Sequence, residues 1–314
     1  MRAPFAFEPE TATFVRSVEQ GPPTEGLAIS ALRDGYRATV IANSVEPDSG
    51  VTTRDLAIPG EAGEVAARLY VPESSRKGGG LLIYVHGGGF AVGDLDSHDR
   101  LVRLIAAASG LRVLCLDYPL APEHPFPAAR DAVVAAFEWA RANAASLGVD
   151  AARIALGGES AGATHVIMAT LALVRSGGEM PALVWALVPA TDPAGSTASH
   201  RDFANGAGRT AQEFAYLWSL YLPDEAQRSD PAIVPALADL AGMRALLIHT
   251  AEYDPARDDG EQLAQRAHAA GVSVTLTRHA GLVHQFPEIT GISSASREAI
   301  VQAARELADA LTKG

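Results

Sequence analysis

The 314-residue chain has one cysteine, Cys115, so it cannot form an internal disulfide, and nothing in it demands an oxidising compartment. That cysteine lies inside the apolar run LRVLCLDYP and reads as a small buried hydrophobe. Basic residues are scarce as well: 25 lysines and arginines face 37 acidic residues, a net charge of −12. A broad attraction for phosphate backbones or anionic lipids is thereby excluded, and nucleic acid with it as a partner. No apolar run reaches the roughly 18 to 20 residues of a membrane-spanning helix. The opening MRAPFAFEPETATF has one early arginine and no uninterrupted apolar stretch. Neither a secretion signal nor an N-terminal anchor is expected from it, and a cytoplasmic location is. There is no internal repeat, no low-complexity tract and no hinge that would split the chain. His98, His165, His200, His249 and His268 share no spacing with Asp, Glu or Cys that suggests a metal site, so no metal and no cofactor are expected.

What is present suits a packed core, with 48% hydrophobic and 20% charged residues. From Phe5 to about Val45 the spacing is helix-like around the break QGPPTEG, which predicts two or more short helices. VTTRDLAIP and GEVAARLYVP follow as strands joined by a tight turn, an antiparallel opening pair. From Gly80 onward, buried runs alternate with helical patterns: LLIYVHG, RVLCLDYP, RIALGGE, ALVWALVPA, RALLIHTAEYD and VSVTLTRH. Strands that are apolar on both faces and alternate with helices predict an α/β fold whose sheet is mostly parallel and covered on both sides. One connection stands apart. From Asp192 to about Pro235 the chain is long, with an aromatic helix-like stretch QEFAYLWSLYL inside it, as expected of a lid or binding element.

The pattern G-x-S-x-G occurs at Gly158 to Gly162, after a predicted strand and at the start of a predicted helix. Ser160 there reads either as a nucleophile on a strained turn or as a helix N-cap. A serine nucleophile needs a base, an acid that orients the base, and donors for the oxyanion. HGGGF, His86 to Phe90, follows another buried strand, and its glycines let backbone N–H groups approach a ligand, together with that of Ala161. It lacks the Walker Lys-Ser/Thr and the dinucleotide spacing of glycines. His86 reads as structural. Asp254 lies just beyond a buried strand and His284 in the loop after the next, the chain order Ser, Asp, His of hydrolases on this architecture. Asp258 and Asp259 read as helix caps, and His279 is the rival base.

With these residues in hand, the chain resembles the hormone-sensitive-lipase-like branch of the α/β-hydrolase carboxylesterases. YVHGGGF, DSHDRLVRLIAAASG, LDYPLAPEHPFPAARDA, GGESAGA, AEYDPARDDG and HQF appear in that family's order, nearly from end to end. The resemblance implies a single α/β-hydrolase domain with a central sheet of about eight strands. It also implies a helical cap, made from about 1–45 and about 192–235. It implies a serine carboxylesterase acting on short- to medium-chain esters through an acyl-enzyme, with Ser160, Asp254 and His284 catalytic. The oxyanion hole falls at Gly88, Gly89 and Ala161, Phe90, Glu159, Phe214 and Trp218 are candidates for the substrate pocket, and pairing into homodimers is an expectation. The chain departs from the family at Glu159, Ala163, Thr164, His165, Pro119 and Gln285, which bears on pocket shape and not on reaction class. A small-molecule receptor on the same fold is the other reading, one that His284 disfavours because such receptors can lack the base. Amidase, lactonase and acyltransferase chemistry share the acyl-enzyme logic and stay open.

Overall fold

A computed structural model describes residues 5–19, 26–60 and 63–313. The N-terminal helices are α1 (Pro9–Glu19) and α2 (Ile29–Asn43); most of QGPPTEG lies outside the described residues. The strands are β1 (Val51–Gly60), β2 (Gly63–Pro72), β3 (Gly79–Val85), β4 (Arg112–Asp117), β5 (Val149–Glu159), β6 (Val184–Leu187), β7 (Ala245–Tyr253) and β8 (Ser273–Val283). Between and after them run α3 (Leu95–Ser109), α4 (Ala128–Ala142), the short α5 (Ala144–Leu147), α6 (Ala161–Ser176), α7 (Ala198–Asp202), α8 (Ala211–Tyr221), α9 (Arg257–Ala269) and α10 (Ser294–Lys313).

The strands form one eight-stranded sheet in the order β1-β2-β4-β3-β5-β6-β7-β8. β1 and β2 pair antiparallel, as do β2 and β4, and every later pairing is parallel. The continuous apolar runs follow from burial on both faces. Along β3, Leu81, Ile83 and Val85 join the core under α4, α6 and α9, while Leu82 and Tyr84 join the core under α3 and α10. That alternation is the two-residue period of a strand. Cys115 lies buried in the second core.

Helix ends are set by local chemistry. Asp94 caps α3, accepting from Ser97 N–H at 2.8 Å while Ser97 Oγ accepts from Asp94 N–H at 2.9 Å, and Gly110 closes the helix in the left-handed region. Thr210 and Glu213 form the same reciprocal cap on α8. Among the described residues no helix is long and apolar enough to cross a membrane. β3 and β5, adjacent and parallel at the sheet's centre, deliver their carboxyl ends to one place, where α/β sheets bind ligands.

Candidate active site

Ser160 sits at the bend between β5 and α6 with φ 52° and ψ −118°, a conformation that costs energy for any side chain. Close packing makes the flanking glycines obligatory. A Cβ on Gly158 would stand 2.3 Å from the Val85 carbonyl oxygen, and one on Gly162 would stand 1.9 Å from the same atom. The N-cap reading of Ser160 fails for its side chain, which makes no capping bond. Its Oγ lies 2.8 Å from His284 Nε2.

His284 follows the last residue of β8, and its Nδ1 lies 2.9 Å from Asp254 Oδ2. Asp254, fully buried just after β7, also accepts the Ala256 N–H on Oδ1 at 2.7 Å. A carboxylate held on both oxygens fixes the ring that leans on it. The structure therefore brings Ser160, His284 and Asp254 together. The rival His279 lies inside β8, 3.2 Å from His249 and stacked on it, because the strand runs on to Val283 past the predicted end. Nor do Asp258 and Asp259 cap α9, whose N-cap is Ala256. Asp258 accepts the Ser199 N–H at 2.9 Å, and Asp259 accepts the N–H groups of Thr191 and Asp192, each at 3.0 Å.

Gly88 and Gly89 adopt φ values of 111° and 55°, and a Cβ on Gly88 would stand 2.1 Å from the Val92 carbonyl oxygen. Among the described residues, the N–H groups of Gly88, Gly89 and Ala161 have no acceptor. Ala161 is also the first residue of α6, where unpaired N–H groups and the helix dipole favour negative charge. His86 Nδ1 is 2.7 Å from the Gly87 carbonyl oxygen. That carbonyl shares a peptide plane with the Gly88 N–H, which in a trans peptide points the opposite way. His86 is structural, as expected, and stacks between His98 and Tyr118.

Glu159 requires a correction. It does not line the cavity at Ser160, because one step along the chain at the strand end turns its side chain elsewhere. Its carboxylate is buried, accepting the Gly87 N–H at 2.6 Å and the Tyr84 hydroxyl, and lies 2.9 Å from His98 Nε2. Burial alone would raise the pKa of Glu159; His98, Tyr84 and Gly87 outweigh it and leave it lowered. Burial likewise opposes the charge on His98, and Glu159 overrides it, leaving that pKa raised. A buried ion pair thus underpins the glycine loop.

The cavity itself is lined by Ser160, His284, Gly88, Gly89, Ala161 and Phe90, with Phe214, Leu217 and Trp218 of α8 opposite. Its room is about 20 Å³, little more than one water. Phe90 stacks on Tyr221 at 4.4 Å and lies 4.5 Å from Trp218; Phe214 meets the His284 ring edge-on at 4.9 Å. The sequence reading missed a charged stretch of wall, formed by Arg209, Glu213 and Glu288. Arg209 lies 3.8 Å from Glu213 and 4.0 Å from Glu288, whose other oxygen accepts the Tyr36 hydroxyl at 2.9 Å. The T-A-Q-E capping signature at 210–213 was the available signal for where this wall begins.

Two neutral histidines beneath the site set an expectation for pH. Burial, helped by the charge of His98, lowers the pKa of His86 from 6.5 to about 4, and burial lowers that of His165 to about 3. The unfolded chain then binds more protons, so their stability is intact above pH 6.5 and is lost as pH falls from there toward 4. Each contributes about 1.4 kcal/mol per pH unit at full slope, and His98 works in the opposite sense. The thermal midpoint is expected to drop across this window. A flat midpoint in a pH series of melts would contradict it.

Comparison with known proteins adds the following. A profile described as alpha/beta hydrolase fold matches residues 82–288. The carboxylic ester hydrolase LipN of Mycobacterium tuberculosis is 40% identical over 272 residues, covering 82% of this chain and 71% of its own length. The ethyl acetate hydrolase of Pseudomonas putida is 31% identical over 319 aligned positions, 96% of this chain and 98% of that one. Among solved structures, a thermostable esterase from Pseudomonas putida ECU1011 superposes with a TM-score of 0.92 at 29% identity, covering 99% of both chains.

Proposed function

We propose a mechanism for a chain that belongs to the alpha/beta hydrolase fold family, as a carboxylic ester hydrolase of its hormone-sensitive-lipase-like branch. Ser160 is the nucleophile, His284 the general base and then acid, and Asp254 the group that orients His284. With its proton on Nδ1 toward Asp254, His284 presents a free Nε2 lone pair to the serine hydroxyl. It takes that proton as Oγ attacks the ester carbonyl. The tetrahedral oxyanion is held by the N–H groups of Gly88, Gly89 and Ala161. As the intermediate collapses, His284 gives the proton to the leaving alkoxide and an acyl-serine remains. Water, deprotonated by the same nitrogen, then releases the carboxylic acid.

The observation that carries this reading is the pair of contacts on one imidazole, 2.8 Å to Ser160 and 2.9 Å to Asp254, beside three N–H groups without acceptors. His86 and Glu159 are positioning residues in it, holding the Gly87 carbonyl and N–H and so the peptide that ends in Gly88. The segments 1–45 and 192–235 are the cap, a role supported by Phe214, Leu217 and Trp218 over the cavity; residues 1–4 and 20–25 lie outside the described residues. A small ester is the favoured substrate, supported by the narrow space at Ser160 and by the ethyl acetate hydrolase that aligns with most of the chain.

Treatment with a p-nitrophenyl dialkyl phosphate tests the assignment. One covalent adduct on the peptide containing Ser160, with matching loss of ester turnover, is the expected result. Full inactivation with the label on another residue would reject Ser160.

A further inference from the structure

Phe214 and Trp218 line two cavities. One is the narrow site at Ser160, and the other is a groove of about 310 Å³ bordered by Asp192, Gly195, His200, Ala204, Ala211 and Ala215. The two rings are the partition between them. Five of the eleven residues around the groove are alanine or glycine, and Arg201, the long side chain among them, donates to the Ser196 carbonyl oxygen at 2.7 Å.

The wall on one side is tied down before any ligand arrives. Asp192 accepts the N–H groups of Ala194 at 3.0 Å and Ser196 at 2.7 Å, and Asp259 holds the N–H groups of Thr191 and Asp192. His200, 3.3 Å from Asp259, meets Phe214 only edge-on at 5.6 Å. The partition differs in firmness. Trp218 is wedged against Phe90 and Tyr221, whereas the apolar cluster around Phe214 is completed by two alanines, Ala190 and Ala256. Phe214 has the fewer apolar neighbours of the two, with the His284 and His200 rings edge-on to it.

The mechanism decides which part of an ester would pass this way. The leaving oxygen must face His284 Nε2 to receive its proton, and Phe214 packs edge-on against that same ring. The alcohol side of the ester thus lies nearest the partition. The narrow space at Ser160 favours a short acyl group there and a longer chain lying outside it.

We propose that the groove between the 192–204 segment and α8 is the alcohol-binding half of the substrate site, entered past Phe214. Its ligand is the aliphatic alkoxy chain of an ester with a short acyl group, lying against Ala204, Ala211 and Ala215. The inference rests on the ester-hydrolase mechanism above.

The test compares kcat/KM for ethyl acetate and hexyl acetate in the wild type, Ala215→Trp and Phe214→Ala. Melting curves establish that each variant is folded, and Ala211→Phe replaces Ala215→Trp if that one is not. Ala215→Trp, which fills the groove, is expected to lower the hexyl-to-ethyl ratio about tenfold or more, on the usual worth of methylenes in an apolar pocket. Phe214→Ala is expected to raise it. An unchanged ratio in both folded variants overturns the groove while leaving the esterase reading in place. A loss confined to p-nitrophenyl octanoate against p-nitrophenyl acetate would assign the groove to the acyl chain and overturn the proposal as stated. No turnover of any ester by the wild type removes the esterase reading, and the groove with it.

Discussion

Ser160→Ala is expected to lower kcat/KM for p-nitrophenyl acetate by about 10⁴-fold or more, the scale at which loss of a serine nucleophile is felt. What remains is the contribution of the unpaired N–H groups at Gly88, Gly89 and Ala161, which need no hydroxyl to polarise a carbonyl. Stability should barely change. The serine makes no side-chain bond to α6, and alanine meets the same backbone strain at φ 52°, so the thermal midpoint is expected to stay within a few degrees. Turnover retained at a tenth of wild type in a protein that melts normally would sink the assignment. Burst kinetics with the wild type should disappear with the hydroxyl.

Asp254→Asn is the second large effect, about 10⁴-fold in kcat. The carboxylate accepts on both oxygens, from Ala256 N–H on Oδ1 and opposite His284 Nδ1 on Oδ2. An amide fits the space but has only one acceptor. If that acceptor stays with the Ala256 N–H, the amide NH₂ faces Nδ1 and forces the ring proton onto Nε2, where it blocks acceptance from Ser160. Asp259→Asn is the natural control. Asp259 binds Thr191 and Asp192 N–H groups and pairs with His200, none of them a partner of Ser160, so its amide is expected to keep kcat within about tenfold. The assignment of the acid fails if the control, and not Asp254→Asn, carries the large loss. Steady-state kinetics over a range of pH would separate the two.

Much of the architecture could be read from the residues because buried strands advertise themselves. Each of the eight predicted strands overlaps a strand of the sheet, and Ser160, Asp254 and His284 all follow such strands. Boundaries were less legible. VSVTLTRH suggests a strand ending at His279, yet β8 continues through Gly281, at φ 73°, to pair Val283 with Tyr253. Turn-forming residues mark where a strand is free to stop, and only the neighbouring strand decides that it does not.

The misplacement of Glu159 has a different origin. Adjacency to a nucleophile suggested contact with substrate, whereas its partner is His98, which lies on α3 and is remote in sequence. Arg209 and Glu213 come from the stretch expected to be a lid or binding element, but nothing in it points to a partner as distant as Glu288. Helical periodicity reports which side of one element is apolar, not which distant element will cover its charges.

The contact of Gly158 and Gly162 with the Val85 carbonyl has a practical corollary for redesign. The bend that carries the serine and the strand bearing the glycine loop are effectively one casting, so catalytic geometry tolerates no adjustment there, and libraries that touch those positions will mostly yield misfolded enzymes. Ala215, by contrast, is exposed and borders the groove away from Ser160. Selectivity can be retooled on that side while the reactive centre is left as it stands.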